Sequence, residues 1–171
     1  MRSLIRLITF NSYFWLAVTI ELALAIILAR HGLTTLDLVV LLAYAAAAAV
    51  LGLALRTPKR QIAQLDSLAA FDRQLREQGP TLAEFYSDNC GLCMAARPAL
   101  DRLEQETSRQ LRIVRLNVNE ARGRELADRY GVAVTPTFLL FGSTGVKEEE
   151  QAFVLDRARV LYWLDQQTIS P

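Results

Sequence analysis

Ser87-Asp88-Asn89-Cys90-Gly91-Leu92-Cys93-Met94-Ala95-Ala96-Arg97-Pro98 (SDNCGLCMAARP) holds both cysteines of a 171-residue chain. Just before it, Thr81 to Ser87 (TLAEFYS) reads as a strand. Just after, Met94 to Ser108 places Ala95, Leu100 and Leu103 at helical spacing. The pair therefore falls at a strand-to-helix junction. The first sulfur meets unpaired N–H groups and the positive end of the helix dipole there, which favour a thiolate, and the second lies one turn along, within reach to close a bridge. Cys90 is the candidate nucleophile and Cys93 the resolving thiol, with Gly91 and Leu92 forming the redox turn between them. Two cysteines are too few for a disulfide scaffold. A structural zinc site needs about four ligands, and His31 is the only other soft candidate.

Working outward, Ile62 to Gln78 has a helical apolar stripe ended by Gly79-Pro80, and Leu111 to Val118 alternates like a strand. Glu120 to Tyr130 reads as a helix stopped by Gly131, and Thr137 to Phe141 (TFLLF) as a strand buried on both faces. Val146 to Phe153 is a more polar edge strand, whose Lys147-Glu148-Glu149-Glu150 run discourages further pairing, and Leu155 to Gln167 is a closing helix. This order predicts an α/β domain with a mixed central sheet and helices on both faces.

The segment Glu84-Phe85-Tyr86-Ser87-Asp88-Asn89-Cys90-Gly91-Leu92-Cys93 resembles the active-site strand and turn of the thioredoxin family, and Pro98 matches the proline of its following helix. Tyr130 to Thr137 (YGVAVTPT) resembles the family's second signature. The resemblance covers nearly all of 62–168 and implies a thioredoxin-like fold. It also implies a cis Thr135–Pro136 bond facing the cysteines, with Thr135 and Pro136 as substrate-binding positions. Glu84 stands where the family has a buried acid, and Arg115 where it has a basic partner. Glu84 is then either the base that deprotonates Cys93, through water, or one half of a buried ion pair that fixes packing. Asn89 replaces the family's tryptophan, Leu92 its proline and Met94 its lysine. The loop Gln151-Ala152-Phe153 lacks the usual glycine.

The N-terminal third has a different character. Residues 1–60 carry six Lys/Arg against Glu21 and Asp37, whereas the remainder carries 13 basic and 16 acidic side chains. Leu7 to Ala29 contains one ionisable residue, Glu21, and Leu38 to Leu55 contains none. At ~1.5 Å per residue each run suffices to cross a hydrocarbon core of ~30 Å. The expected organisation is a transmembrane helical hairpin (about 7–29 and 34–55) with a basic linker over 1–60, then a thioredoxin-like domain over 61–171. A signal peptide cleaved near Ala23-Leu24-Ala25 is the competing reading of the first run. Gly32 is suited to end one helix and Thr34 or Thr35 to cap the next. Arg2, Arg6, Arg56, Lys59 and Arg60 flank the outer ends of the runs, so both termini and the soluble domain are expected on the cytoplasmic side of an inner or plasma membrane. Glu21 faces the depth of Tyr44 to Ala47. It is either a proton, quinone or subunit-contact site, or a protonated carboxyl hydrogen-bonded within the hairpin.

Two functions follow as expectations. One is a membrane-tethered thiol-disulfide oxidoreductase acting on protein thiols and disulfides with no cofactor beyond the Cys90–Cys93 pair. The other is a thioredoxin-like accessory subunit of a respiratory or photosynthetic membrane complex, with other integral subunits on the hairpin, whose Ala45 to Ala49 and Gly52 are small enough to pack closely on either the first helix or a foreign one. Lipid is a partner in both. No Gly-rich phosphate loop and no aromatic-interleaved basic patch is present, so nucleotide and nucleic-acid binding are not expected.

Overall fold

The computed structural model describes residues 10, 12–30, 32, 34–54, 67–77 and 79–169. Arg2, Arg6, His31, the Arg56-to-Arg60 linker and the expected helix start at Ile62 lie outside these residues. The elements in chain order are α1 (Ser12–Ala29), α2 (Thr35–Ala54), α3 (Leu68–Glu77), β1 (Thr81–Tyr86), α4 (Gly91–Thr107), β2 (Arg112–Asn117), α5 (Ala121–Arg129), β3 (Thr137–Phe141), β4 (Lys147–Ala152) and α6 (Arg157–Ile169).

The strands form one four-stranded sheet in the order β2-β1-β3-β4. β1 runs parallel to β2 and antiparallel to β3, and β3 runs antiparallel to β4. Because side chains alternate along a strand, Ala83 and Phe85 face one way and Leu82 and Glu84 the other. Ala83 and Phe85 join Phe71 and Leu75 of α3 and Leu126 of α5 in one core. Leu82 packs with Leu100 and Leu103 of α4 and Val160 and Trp163 of α6 in a second. The sheet is thus covered on both faces, as expected from TFLLF, all five residues of which are buried. Glu84 is a buried acid on this second face, with Arg115 of β2 in register beside it.

One close approach locks α5 to β2. A Cβ built on Gly123 would lie 2.0 Å from the Asn117 carbonyl oxygen, so only glycine permits this packing.

α1 and α2 are antiparallel neighbours, each long and apolar enough to cross a membrane, with nothing buried in either apolar window. Thr34 caps α2 as expected: Asp37 N–H donates to Thr34 Oγ1 at 3.3 Å, while Thr34 N–H donates to Asp37 Oδ2 at 2.8 Å. Gly32 takes the positive φ of 86° that the interhelical turn requires. Tyr13 pins the far end of the hairpin. Its hydroxyl donates to Ala48 O at 2.7 Å, and its ring lies 3.0 Å from where a Gly52 Cβ would be.

Candidate active site

β1 ends at Tyr86, and Ser87 to Asn89 turn the chain so that Cys90 becomes the N-cap of α4. Cys90 is extended (φ −101°, ψ 112°), and its Sγ accepts the Cys93 N–H at 3.2 Å, one of the orphan donors of the helix start. Cys90 and Cys93 are joined in a disulfide with their Cα atoms 5.3 Å apart. Both are buried, at 1% exposure, with Tyr86 packed against them. Leu92, between them, is 52% exposed.

The Thr135–Pro136 peptide is cis, and the Thr135 carbonyl oxygen lies 3.4 Å from Cys90 Sγ. Two segments 45 residues apart thus meet at the first sulfur. Thr137 Oγ1 donates to Val134 O at 2.9 Å across the same bend.

Beneath the disulfide, Glu84, Tyr86, Cys93, Arg97 and Arg115 line one small gap that is closed to a water-sized sphere. Register pairing sets Glu84 beside Arg115 on β2, with Arg115 Nε 3.8 Å from Glu84 Oε2. Arg115 also donates through Nη2 to Glu104 at 3.0 Å and to Asp101, both on α4. Among the described residues its Nε has no hydrogen-bond partner. Arg115 is therefore shared among three acids, and Glu84 has the least direct contact of the three. Burial pushes the Glu84 carboxyl up to about 7, and Arg115 and then Arg97 only partly oppose that shift. A carboxyl poised near neutrality beside a resolving thiol is able to exchange a proton with it.

Sequence reasoning missed three features. Asp101 and Glu104 are spaced i,i+3 on α4, which is a legible signal for one helix face. Phe153 has a positive φ of 68°, and its N–H donates to Pro136 O at 2.8 Å. The N-terminal end of α1 meets the redox turn: Ser87 Oγ donates to Phe10 O, Gly91 N–H to Ser12 Oγ at 3.2 Å, and Tyr13 N–H to Asn89 O at 3.0 Å. No local signal announces contacts across 77 to 79 residues. Glu21 is not part of this site. It lines a separate cavity of about 720 Å³ between the hairpin helices, whose wall also includes Asp88 and Asn89.

A sulfur pair that can open and close at a helix N-terminus, set over a carboxyl, is built for thiol–disulfide exchange, and this is the class to which the fold and site assign the chain. A family model described as Thioredoxin matches residues 62–164. The chain is 37% identical over 76 residues to thioredoxin of Bacillus subtilis, covering 44% of this chain and 71% of that protein. It is 30% identical over 95 residues to the chloroplastic thioredoxin-like protein HCF164 of Oryza sativa subsp. japonica, which covers 56% of this chain but only 35% of that longer protein. Among solved structures, a mutant thioredoxin from Halobacterium salinarum NRC-1 superposes with a TM-score of 0.51 at 26% identity, over 60% of this chain and 86% of that one. The chain belongs to the thioredoxin family.

Proposed function

We propose that the protein is a membrane-tethered protein-disulfide oxidoreductase, held by two spans in an inner or plasma membrane with its thioredoxin-like domain on the cytoplasmic face. The observation that carries the catalytic part is the Cys90–Cys93 disulfide at the N-cap of α4, set above buried Glu84. In the reducing direction the Cys90 thiolate attacks one sulfur of a substrate disulfide. That bond breaks, and one substrate thiolate leaves and takes a proton from water. Cys93 gives its proton to Glu84 and attacks Cys90 Sγ, which expels the second substrate thiolate and closes the Cys90–Cys93 bond. Two electrons pass to the substrate, and an external dithiol donor resets the pair. The gap beside Glu84 is tight in the disulfide form, so a water relay requires it to widen on reduction. Thr135, whose carbonyl lies 3.4 Å from Cys90 Sγ, and Pro136 would receive the extended substrate chain.

Tethering is supported by the length and apolarity of α1 and α2. Sidedness rests on Arg2, Arg6, Arg56, Lys59 and Arg60 at the outer ends of the hairpin. Reduction of insulin by the full chain in detergent, with dithiothreitol as donor, tests the activity. Wild type is expected to exceed Cys90→Ser by at least tenfold, and equal rates would remove the enzyme reading.

The cavity containing Glu21 favours a second, compatible reading as a subunit of a larger electron-transfer complex. A carboxyl within a span needs a polar partner, and a foreign helix is one able to supply it. Purification in mild detergent is expected to bring integral subunits with the chain; a lone monomer would count against this role.

A further inference from the structure

We propose that the dithiol acts on disulfides in the juxtamembrane segments of other integral membrane proteins, where an extended chain leaves the bilayer, rather than on disulfides of freely diffusing proteins. The inference rests on the tethered oxidoreductase reading and names the substrate of that same site.

Two independent observations support it. The first is height. Phe10, Ser12 and Tyr13, at the start of α1, make hydrogen bonds to Ser87, Gly91 and Asn89, the residues that surround Cys90. α1 is 18 residues long, about 27 Å at helical rise, and so matches a hydrocarbon core of ~30 Å. The redox turn is therefore held at the end of a span, at the level where the bilayer meets water. It does not swing free on the linker between α2 and α3. Asn89, where the family's docking tryptophan would stand, is one of the three residues so engaged.

The second is a set of exposed apolar side chains, one inside the redox turn and two on the loop after β4 that is hydrogen-bonded to Pro136. Leu92 is 52% exposed, Phe153 46% and Val154 72%. Val154 N–H donates to Ala152 O at 2.8 Å, closing a tight turn with Phe153 at its centre and φ at 68°. That hand of γ-turn is rare and strained, and positive φ is unfavourable for a bulky residue. The strain does not serve the core, because Phe153 is half-exposed, while its backbone N–H is held by Pro136 O beside Thr135. Strain kept at an exposed side chain next to reacting atoms points to binding. Exposed apolar side chains at the bilayer boundary suit the apolar and aromatic residues that flank a transmembrane helix.

The test places the full chain in nanodiscs with a model substrate, a single transmembrane helix followed by a spacer and a small disulfide-closed loop. Spacers of 4, 15 and 40 residues are compared with the same loop as a free peptide, in single turnovers of dithiothreitol-reduced enzyme. Membrane confinement alone favours every anchored substrate, so the dependence on spacer length isolates height. The rate is expected to be greatest at 4 residues and to fall at least tenfold by 40, since effective concentration falls roughly as the −3/2 power of tether length. Rates equal at 4 and 40, or greatest at 40, would overturn the inference and leave the oxidoreductase reading intact. Reduction of no substrate beyond the level of Cys90→Ser would overturn both. In a second arm, Phe153→Gly is expected to raise the thermal midpoint, by relieving the backbone, and to lower the ratio of short-spacer to free-peptide rates at least fivefold. An unchanged ratio would remove Phe153 from the substrate site.

Discussion

Glu84 shows how one residue links packing to chemistry. Its carboxyl is raised from an ordinary 4.5 to about 7, chiefly by burial. The folded chain therefore holds this proton more tightly than the unfolded chain. That contribution to stability is complete below pH 4.5 and is lost as pH rises through 7, a difference of about 3 kcal/mol. In Glu84→Gln, urea unfolding is expected to show a flatter stability profile between pH 5 and 8, with the largest gain over wild type at pH 8. The same variant is expected to reduce disulfides about tenfold more slowly at pH 7.5 and to lose the rate inflection near 7, because the resolving thiol has lost its base. At the cysteines, Cys93→Ser is expected to accumulate a mixed disulfide through Cys90, seen as a mass adduct on non-reducing gels, whereas Cys90→Ser forms none. The identity of these residues was legible from CGLC and its strand-to-helix setting. The tuning of Glu84 was not, because it comes chiefly from burial under the assembled sheet and α4, with Arg115 and Arg97 opposing it only in part.

At the scale of elements, periodicity located the strands and helices well, since each buries a face whose apolar spacing is its own signature. Differences fall at the ends. The redox helix begins at Gly91 rather than Met94 because Cys90 itself caps it, and sulfur is not among the usual capping oxygens by which a helix start is recognised. Gly123 lies inside a short helix where glycine is a poor former, and only the 2.0 Å approach to Asn117 O explains it. Gly123→Ala is expected to destabilise the domain by about 2 kcal/mol or more in urea titration, because a backbone oxygen cannot rotate aside. Phe153 is a further case. Its lack of glycine was visible in the sequence, but that the position demands positive φ was not.

For the whole molecule, the hairpin and the redox domain meet at the redox turn, and this decides how the chain presents its chemistry. The full chain is expected to remain in the membrane pellet after alkaline carbonate extraction, and release into the supernatant would argue against two spans. Sidedness is checked with Tyr162→Cys in a Cys90→Ser/Cys93→Ser background, using an exposed position on α6. An impermeant maleimide is expected to label it only after permeabilisation if the domain is cytoplasmic. The sequence by itself determined the α/β class, the dithiol and the two apolar runs, because each is written in local spacing: period 2 or 3.6 for the elements, three for the cysteines, and about 20 for a span; the family came from the resemblance of its motifs. Tertiary structure alone decided what those parts do to one another. It alone brings Thr135 to Cys90, sets three acids around Arg115, and ties Phe10, Ser12 and Tyr13 to the turn more than 70 residues away. The physical reason is that hydrogen bonding, burial and charge act on distance in space, which one-dimensional spacing encodes only within an element.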